Sequence, residues 1–261
     1  MRSRSYSEVY GEEVSPQVSG DEGYYKAVAR LRSGNRILTE NDFEFLVIDR
    51  SKPAPPSKPI VLLDPEDNLR KWMQRRGFPL IEFTEWRGKP HVVLVAGMKD
   101  PSGYYEIYDE LRKLGQMVKE GSVAVFLEGN FNDLMYLFLR FNIGQQSGVG
   151  SFVGNFHCVK PHPVFQGLPM GCLMDWEYTD IWAVETMKET TIGNLNPQTI
   201  VGCFSTTGDG GTEWGSEMFI TSQGEGRVLM SKLRLTETVD RDPVAERIVM
   251  NMLAWAAEGL A

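Results

Sequence analysis

The sequence predicts an α/β fold: a three-layer sandwich with a mostly parallel central sheet, plus a small N-terminal β-hairpin portion. Three observations predict it. After residue 60, short apolar runs alternate with segments of helical periodicity. A proline-rich stretch at 51–59 separates this region from two earlier β-like runs. Alternation of this kind requires crossover connections, which favour a parallel sheet covered on both faces.

The first 50 residues predict a β-rich segment. Two β-like runs, Tyr24 to Leu31 and Ile37 to Asp49, flank the turn signal Ser33-Gly34-Asn35. A lone hairpin is marginally stable in water, so we expect it to be an arm that packs on the rest of this chain or on a domain not present here. Residues 51–59 contain four prolines and indicate an extended linker. Residues 60–261 then form the α/β domain.

In the α/β region, the type of each element follows from its hydrophobic pattern and from the turn and capping residues at its ends. Apolar runs predict strands, and stripes at helical spacing predict helices that end near Gly77 and Gly121. Asp242-Pro243 is an N-cap followed by a proline and predicts the start of the last helix. The strands are expected at 60–63, 80–83, 92–96, 123–127, 199–205, 217–221 and 227–233, and the helices at 68–76, 104–119 and from 242.

The central strand is expected to end at Glu128-Gly129-Asn130. A strand-to-helix turn of this kind carries the nucleophile in several α/β enzyme families, so Glu128 is a candidate catalytic carboxylate. The preferred interpretation is an acid that interacts with the positive end of the following helix. That helix, 134–141, is apolar on all sides and is expected to be buried or to dock on a partner domain or a second copy.

Composition limits the partners. Hydrophobic residues make up 42% and charged residues 24%, and the formal net charge is -8. That charge argues against nucleic acid as a partner. No apolar run approaches the roughly 20 residues of a membrane span, so no membrane partner is expected. The polar N-terminus lacks the apolar core of a secretory signal, and a cytoplasmic location is expected if the chain is complete.

An aromatic and acidic segment is the candidate ligand site. Aromatic rings beside carboxylates suit sugar stacking and hydroxyl hydrogen bonding, and the alternative is a polar loop with core-packing aromatics. A long Gly-rich loop at 206–215 carries one more tryptophan. The candidate carbohydrate-binding residues are Asp175, Trp176, Glu177, Tyr178, Trp182 and Trp214.

No metal and no cofactor are expected. Cys158, Cys172 and Cys203 form no CxxC and indicate buried free thiols. His157, Cys158 and His162 are zinc-ligand types within six residues. Intervening prolines restrict that loop, however, and no second ligand cluster is evident in the sequence.

Four phrases resemble one family. They are His162-Pro-Val-Phe-Gln-Gly-Leu-Pro169, Gly226-Arg-Val-Leu-Met-Ser-Lys-Leu-Arg-Leu235, Asp242-Pro-Val-Ala245 and Asn251-Met-Leu253. Together they are similar to the class I glutamine-amidotransferase-like (flavodoxin-like) domain appended to some family 2 glycoside hydrolases of the β-galactosidase and β-glucuronidase type. The segment Asn41 to Ile48 resembles the end of the β-sandwich that precedes such a domain.

The resemblance implies an amidotransferase fold but not its chemistry. That chemistry needs a cysteine at the central turn and a later histidine. Here the turn has Glu128, and no histidine follows the last strand. The leading hypothesis is therefore a non-catalytic accessory or assembly domain of a carbohydrate-active enzyme, with a pseudo-active site. The alternatives are a carbohydrate-binding protein, or an independent glycoside or ester hydrolase using Glu128 with acids of the 175–180 loop.

Overall fold

The chain divides into two compact units, Met1–Asp49 and Arg50–Ala261. The predicted helix at 134–141 and the glycines at 208–211 lie outside the residues that the structure describes. The structure, a computed structural model, describes residues 21–98, 107–129, 147–148, 155–188, 192, 195–206 and 212–260.

The first unit contains a β-hairpin of two long strands, β1 (Gly23–Ser33) and β2 (Arg36–Val47). They pair antiparallel from Gly23 opposite Val47 to Ser33 opposite Arg36. The turn places Gly34 at φ +60°, a left-handed conformation that glycine adopts without strain. The hairpin predicted from the turn signal is therefore present.

The second unit has an α/β architecture, as predicted, built on one large mixed sheet. One half of the sheet is parallel. Its strands are β3 Ile60–Leu63, β4 Leu80–Glu82, β5 Val92–Val95, β6 Val123–Phe126 and β13 Gly226–Ser231. Their spatial order is β4-β3-β5-β6-β13. Strands β3, β5 and β6 are buried along their whole lengths, which explains their continuous apolar sequences.

The other half of the sheet is antiparallel. Beyond β13 the order continues β12-β11-β8-β9, with β10 beside the start of β12 and β7 beside β10. The bounds are β7 Ser147–Gly148, β8 Asn155–Val159, β9 Cys172–Leu173, β10 Glu185–Lys188, β11 Gln198–Thr206 and β12 Thr212–Gln223.

Three α-helices lie within the described residues: α1 (Arg70–Arg75), α2 (Tyr108–Lys119) and α3 (Pro243–Glu258). Helix α2 packs against β6 and β13, and α3 packs against β5 and β6. Asp242 caps α3 as predicted, because its side chain accepts a hydrogen bond from the Val244 N–H at 2.8 Å. None of the helices in the described ranges is long and apolar enough to cross a bilayer.

The start of the second unit is tied to α3 through buried Glu246. This carboxylate accepts a hydrogen bond from Trp72 Nε1 at 3.1 Å and forms ion pairs with Arg50 and with Arg76, the latter at 3.2 Å. Arg247 Nε donates to the carbonyl of Lys52 at 3.1 Å. The proline-rich segment expected as a linker is therefore anchored on α3 at its beginning.

Candidate functional site

The turn after β6 lies at the carboxyl edge of the parallel half. The Leu127 N–H donates to the carbonyl of Val95 at 3.1 Å, and the Gly129 N–H donates to the carbonyl of Ser231 at 2.7 Å. The chain on both sides of Glu128 therefore stays bonded to the neighbouring strands β5 and β13. These two bonds fix where the Glu128 side chain leaves the sheet.

The Glu128 carboxyl group is held by the loop that follows β13. Its Oε1 accepts a hydrogen bond from the Thr236 N–H at 2.6 Å. The Thr236 Oγ1 in turn accepts one from the Gly97 N–H at 2.8 Å. Because Gly97 follows β5, Thr236 connects the carboxyl ends of β5 and β6. We call Gly97, Glu128 and Thr236 the elbow lock.

The elbow lock is tightly packed. A Cβ on Gly97 would lie 2.6 Å from Glu128 Cβ and 2.9 Å from Thr236 Oγ1, closer than side-chain atoms approach, so the position requires glycine. A free backbone N–H at a strand end is suited to hold a developing oxyanion. Here the threonine hydroxyl already occupies the Gly97 donor.

Burial raises the pKa of the Glu128 carboxyl above its ordinary value, and the nearby charge of Glu237 adds to the rise. Hydrogen bonds from the 236–237 segment act in the opposite direction and are outweighed. A carboxyl group with a raised pKa is suited to proton transfer, so its partners decide what it does. The imidazoles lie on other elements: His91 precedes β5, His157 is on β8, and His162 follows β8.

The predicted sugar-binding residues of segment 175–182 are distributed between surface and core. Residues Trp176–Ile181 form a 3-10 helix that Asp175 caps, accepting from the Trp176 N–H at 2.8 Å. Asp175 and Trp176 are exposed and Glu177 is half-buried. Tyr178 is buried in the core, where it donates to the carbonyl of Pro169 and meets the Phe165 ring edge-on.

Trp182 is the last of these residues, and its ring packs against His157. Its ring stacks on the His157 ring, with the centroids 6.1 Å apart and the planes 7° apart. The structure therefore brings Asp175, Trp176 and Glu177 together at the surface and places Tyr178 and Trp182 against the interior.

Trp214 belongs to a separate row of exposed aromatic side chains. It is the cross-strand partner of Phe204 on β11, and Phe204 is the partner of Phe156 on β8. The three residues are 43%, 44% and 53% exposed. Cross-strand partners lie side by side on one face of a sheet. We call Phe156, Phe204 and Trp214 the aromatic row.

A cavity of about 440 Å³ borders the aromatic row at Trp214. Its lining supplies an ammonium group from Lys160, an amide from Gln198 and a hydroxyl from Thr199. The Thr199 hydroxyl is already within 2.5 Å of the Ser216 hydroxyl. An aromatic wall beside polar donors and acceptors suits a ligand that has both apolar faces and hydroxyl groups.

A second cavity, of about 260 Å³, lies at the carboxyl ends of β3 and β4. Two of its charged groups, Arg70 and Glu82, are bound to each other. Arg70 pairs with Glu82 and with Asp67, and Arg70 lowers the pKa of the Glu82 carboxyl. The Asp64 carboxylate caps α1 by accepting from the Leu69 N–H at 2.7 Å. These contacts hold the start of α1 against the ends of β3 and β4, so the polar groups of this cavity have a structural role.

A buried polar cluster lies on the antiparallel half. His157 on β8, Cys203 on β11 and Glu217 on β12 place one ligand-type atom each within 4.8 Å of the others. His157 Nδ1 is 2.8 Å from both carboxylate oxygens of Glu217. The zinc-type grouping of His157 with Cys158 does not form, because adjacent residues of a strand point to opposite faces.

Sequence reasoning identified only part of these groupings. It singled out Trp214 but not Phe156 or Phe204, and it compared His157 with its sequence neighbours. Both groupings depend on which residues stand opposite each other in β8, β11 and β12. Polar residues inside short apolar strands, such as His157 and Glu217, are the sequence signal that points to the buried cluster.

No family model and no curated protein matches the chain. The solved structures that resemble it include two of cytoplasmic proteins from Salmonella typhimurium. STM3548 aligns with a TM-score of 0.43 and 8% identity, covering 89% of this chain and 95% of that chain. STM1381, from strain LT2, aligns with a TM-score of 0.41 and 8% identity, covering 90% and 96%. Likenesses this weak carry no inference about function.

Proposed function

We propose that residues 60–261 form an amidotransferase-like, three-layer α/β domain without catalytic activity. It would serve as an accessory or assembly module of a carbohydrate-active enzyme. The observation that carries the proposal is the elbow lock. The carboxyl group at the nucleophile position and the donor that an oxyanion would need are both bonded to Thr236.

The three-layer arrangement is supported by the packing of α2 and α3. The cluster that contains α2 uses alternate residues of four parallel strands, among them Val93 and Val95 of β5 and Ala124 and Phe126 of β6. Successive side chains of a strand point to opposite faces, so the intervening buried residues Leu94 and Val125 serve the other face. Helix α3 also contacts β5 and β6. The antiparallel strands beyond β13 are an addition to the mostly parallel sheet that the sequence predicts.

The phrases that carry the family resemblance have structural roles here. In His162–Pro169, the side chains of Val164 and Phe165 are fully buried. Asn251 Nδ2 on α3 donates to the carbonyls of Val164 at 3.1 Å and Gln166 at 2.9 Å. These phrases hold the sheet and α3 together, which fits a retained scaffold rather than a retained active site.

Glutamine hydrolysis tests the amidotransferase side of the proposal. The wild-type chain at high micromolar concentration is incubated with L-glutamine, and released ammonia is measured against buffer and against Glu128→Gln. We expect the two proteins to match the buffer rate. Ammonia release by the wild type alone would contradict a closed, non-catalytic elbow.

The assembly role rests on the predicted helix at 134–141, which lies outside the described residues. Multi-angle light scattering over a concentration series measures whether the isolated chain associates. We expect a concentration-dependent dimer or higher species if this helix docks on a second copy. A strict monomer limits the role to a partner domain.

A second candidate function is carbohydrate binding at the aromatic row. The observation that favours it is the exposed row of Phe156, Phe204 and Trp214 beside a cavity with polar lining. Flat aromatic faces bury the apolar faces of pyranose rings, while hydroxyl groups of the sugar find the polar side chains.

Calorimetric titration with β-linked oligosaccharides separates this candidate from the first. If the row binds sugar, Trp214→Ala abolishes the heat of binding, and Trp176→Ala leaves it unchanged because Trp176 lies on another segment. If segment 175–182 binds sugar instead, Trp176→Ala abolishes the heat of binding and Trp214→Ala leaves it unchanged. Absence of heat with millimolar ligand would rule out the binding candidate for the sugars tested.

A further inference from the structure

The buried cluster on β8, β11 and β12 combines three side chains that share one property: each offers an atom able to ligate a metal ion. His157 is 4% exposed, and Cys203 and Glu217 are each 1% exposed. An ionised carboxylate in such surroundings must be paired with a cation or a proton donor. The Glu217 carboxyl group therefore needs a cation or a proton donor beside it, and His157 Nδ1 lies 2.8 Å from both of its oxygens.

Strand register brings these residues together. His157 and Cys203 are direct cross-strand partners in β8 and β11. Between β11 and β12 the pairing passes from Gly202 opposite Ser216 to Val201 opposite Met218. Glu217 is thus the extra residue of a β-bulge, a feature that redirects a side chain. Its carboxylate consequently meets the histidine two strands away.

We infer that His157, Cys203 and Glu217 bind a divalent transition-metal ion of the zinc class. A tetrahedral ion with Zn–N, Zn–O and Zn–S bonds of about 2.0–2.3 Å separates neighbouring ligands by about 3.3–3.8 Å. The ligand atoms lie within 4.8 Å of one another, and His157 Nδ1 is 2.8 Å from Glu217 Oε1. Small side-chain adjustments around a central ion therefore satisfy the geometry.

The donor set selects the class of ion. A thiolate and an imidazole are soft or borderline ligands that favour Zn²⁺ and its neighbours, whereas Ca²⁺ and Mg²⁺ take oxygen ligands. Three protein ligands leave one tetrahedral position for water or another small donor. The ion is held on the face of the sheet that lies opposite to the aromatic row.

Metal binding here exchanges a proton for the ion. The Cys203 S–H bond breaks, its sulfur forms a bond to the metal, and the proton leaves to solvent. A neutral imidazole ligates through its unprotonated ring nitrogen and releases no proton. The two-plus charge of the ion then faces one thiolate and one carboxylate, so the bound site is neutral.

A nucleophilic cysteine explains the cluster less well. Burial raises the pKa of the Cys203 thiol to about 12, and the neighbouring Glu217 carboxylate contributes to the rise. Reactive cysteines instead have lowered pKa values next to cationic groups. Without a cation the thiol therefore stays protonated and unreactive.

The surroundings orient the histidine for ligation. The Trp182 ring lies parallel to the His157 ring, and the His157 carbonyl accepts a hydrogen bond from the Met174 N–H at 2.7 Å. Contacts that fix the ring plane of a ligating histidine are a regular part of metal sites. The cluster is held in place before an ion enters.

Equilibrium dialysis followed by elemental analysis tests the inference directly. The whole chain is stripped with chelator, dialysed against Zn²⁺ or Co²⁺, and analysed for bound metal. We expect one equivalent of Zn²⁺, and for Co²⁺ a near-ultraviolet thiolate charge-transfer band. Cys203→Ser and Glu217→Gln should each lose the band and at least tenfold in affinity, whereas Cys172→Ser, at an exposed position on β9, should keep both.

Circular dichroism checks that each variant is folded. Should Cys203→Ser and Glu217→Gln both unfold, X-ray absorption of the zinc-loaded wild type decides by itself: we expect one sulfur in the first coordination shell. Less than 0.2 equivalents of bound metal, a first shell without sulfur, or the same cobalt band in Cys203→Ser would overturn the inference. The cluster would then be a buried His157–Glu217 hydrogen bond beside the Cys203 thiol.

Discussion

In the folded chain, the surroundings of the Glu128 carboxyl group disfavour its ionised form. Burial and the Glu237 carboxylate raise its pKa, although Thr236 donates a hydrogen bond to it. A group that binds its proton more tightly in the folded state than in the unfolded state makes folding stability depend on pH. Folding is then favoured at low pH and loses that contribution as the carboxyl group ionises.

Substitution of Glu128 by Gln should therefore have an effect that grows with pH. Below the unfolded-state pKa, near the ordinary value of 4.5, both states of the wild type are protonated and the difference between the two proteins is smallest. As pH rises from there through the raised folded-state pKa, wild-type stability falls while the neutral amide is unaffected. Urea unfolding from pH 4 to pH 8 measures this change.

Glu258→Gln, at an exposed position near the end of α3, is the matched control, and its stability difference should stay flat with pH. A pH-independent difference for Glu128→Gln would show that Glu128 titrates alike in both states. A difference that changes in favour of the wild type at high pH would show that its pKa is lowered rather than raised.

Gly97 tests whether the elbow lock is as closely packed as its distances indicate. Because an added Cβ would meet Glu128 Cβ at 2.6 Å, Gly97→Ala should cost about 1–3 kcal/mol of unfolding free energy, the usual range for overpacking. At Gly202 the nearest atom would lie at 3.7 Å, so Gly202→Ala is the control and should change stability less. Equal costs at the two positions would contradict a filled elbow.

At the scale of elements, α3 holds the start of the second unit through Glu246. The carboxylate is 4% exposed and is shared by Trp72, Arg50 and Arg76. Glu246→Ala should destabilise the chain by about 1–3 kcal/mol, because buried Trp72 Nε1 and the partly buried Arg76 lose their acceptor. Thermal and urea unfolding measure the loss.

The exposed Arg75–Asp240 pair provides the comparison for Glu246. Asp240→Ala should change stability by no more than about 1 kcal/mol, as is usual for surface pairs. If Glu246→Ala were as mild as Asp240→Ala, α3 would be held by its apolar contacts alone.

The elements that sequence predicted well are those whose local pattern agrees with the fold. Strands β3, β5 and β6 are continuous apolar runs, and α3 begins at its predicted cap. Strand β8 is not among the strands that the sequence predicts. Its residues, Asn155 to Val159, have no strong strand pattern, and pairing with β11 makes them a strand.

The Gly-rich loop expected at 206–215 was predicted too long for a similar reason. Strand β12 begins at Thr212 and includes Trp214, since pairing with β11 and β10 outweighs the turn preference of the glycines. The buried cluster and the aromatic row depend on the register of the same strands. Register between segments distant in sequence cannot be obtained from one chain by periodicity alone.

At the scale of the whole molecule, the second unit separates three features by place. The elbow lock joins the carboxyl ends of β5 and β6. The aromatic row and the buried cluster occupy opposite faces of the antiparallel half. At the carboxyl ends of β5 and β6 the polar groups are therefore bonded to one another, whereas the exposed aromatic row lies on the antiparallel strands beyond β13.

Hydrolysis of chromogenic glycosides tests the central claim, that Glu128 is part of a closed lock and not a catalytic residue. The wild type, Glu128→Gln and the Glu258→Gln control are assayed with a panel of nitrophenyl glycosides and esters. We predict that all three release nitrophenol at the buffer rate. Turnover by the wild type and by Glu258→Gln that is lost in Glu128→Gln would contradict the account and establish the hydrolase alternative.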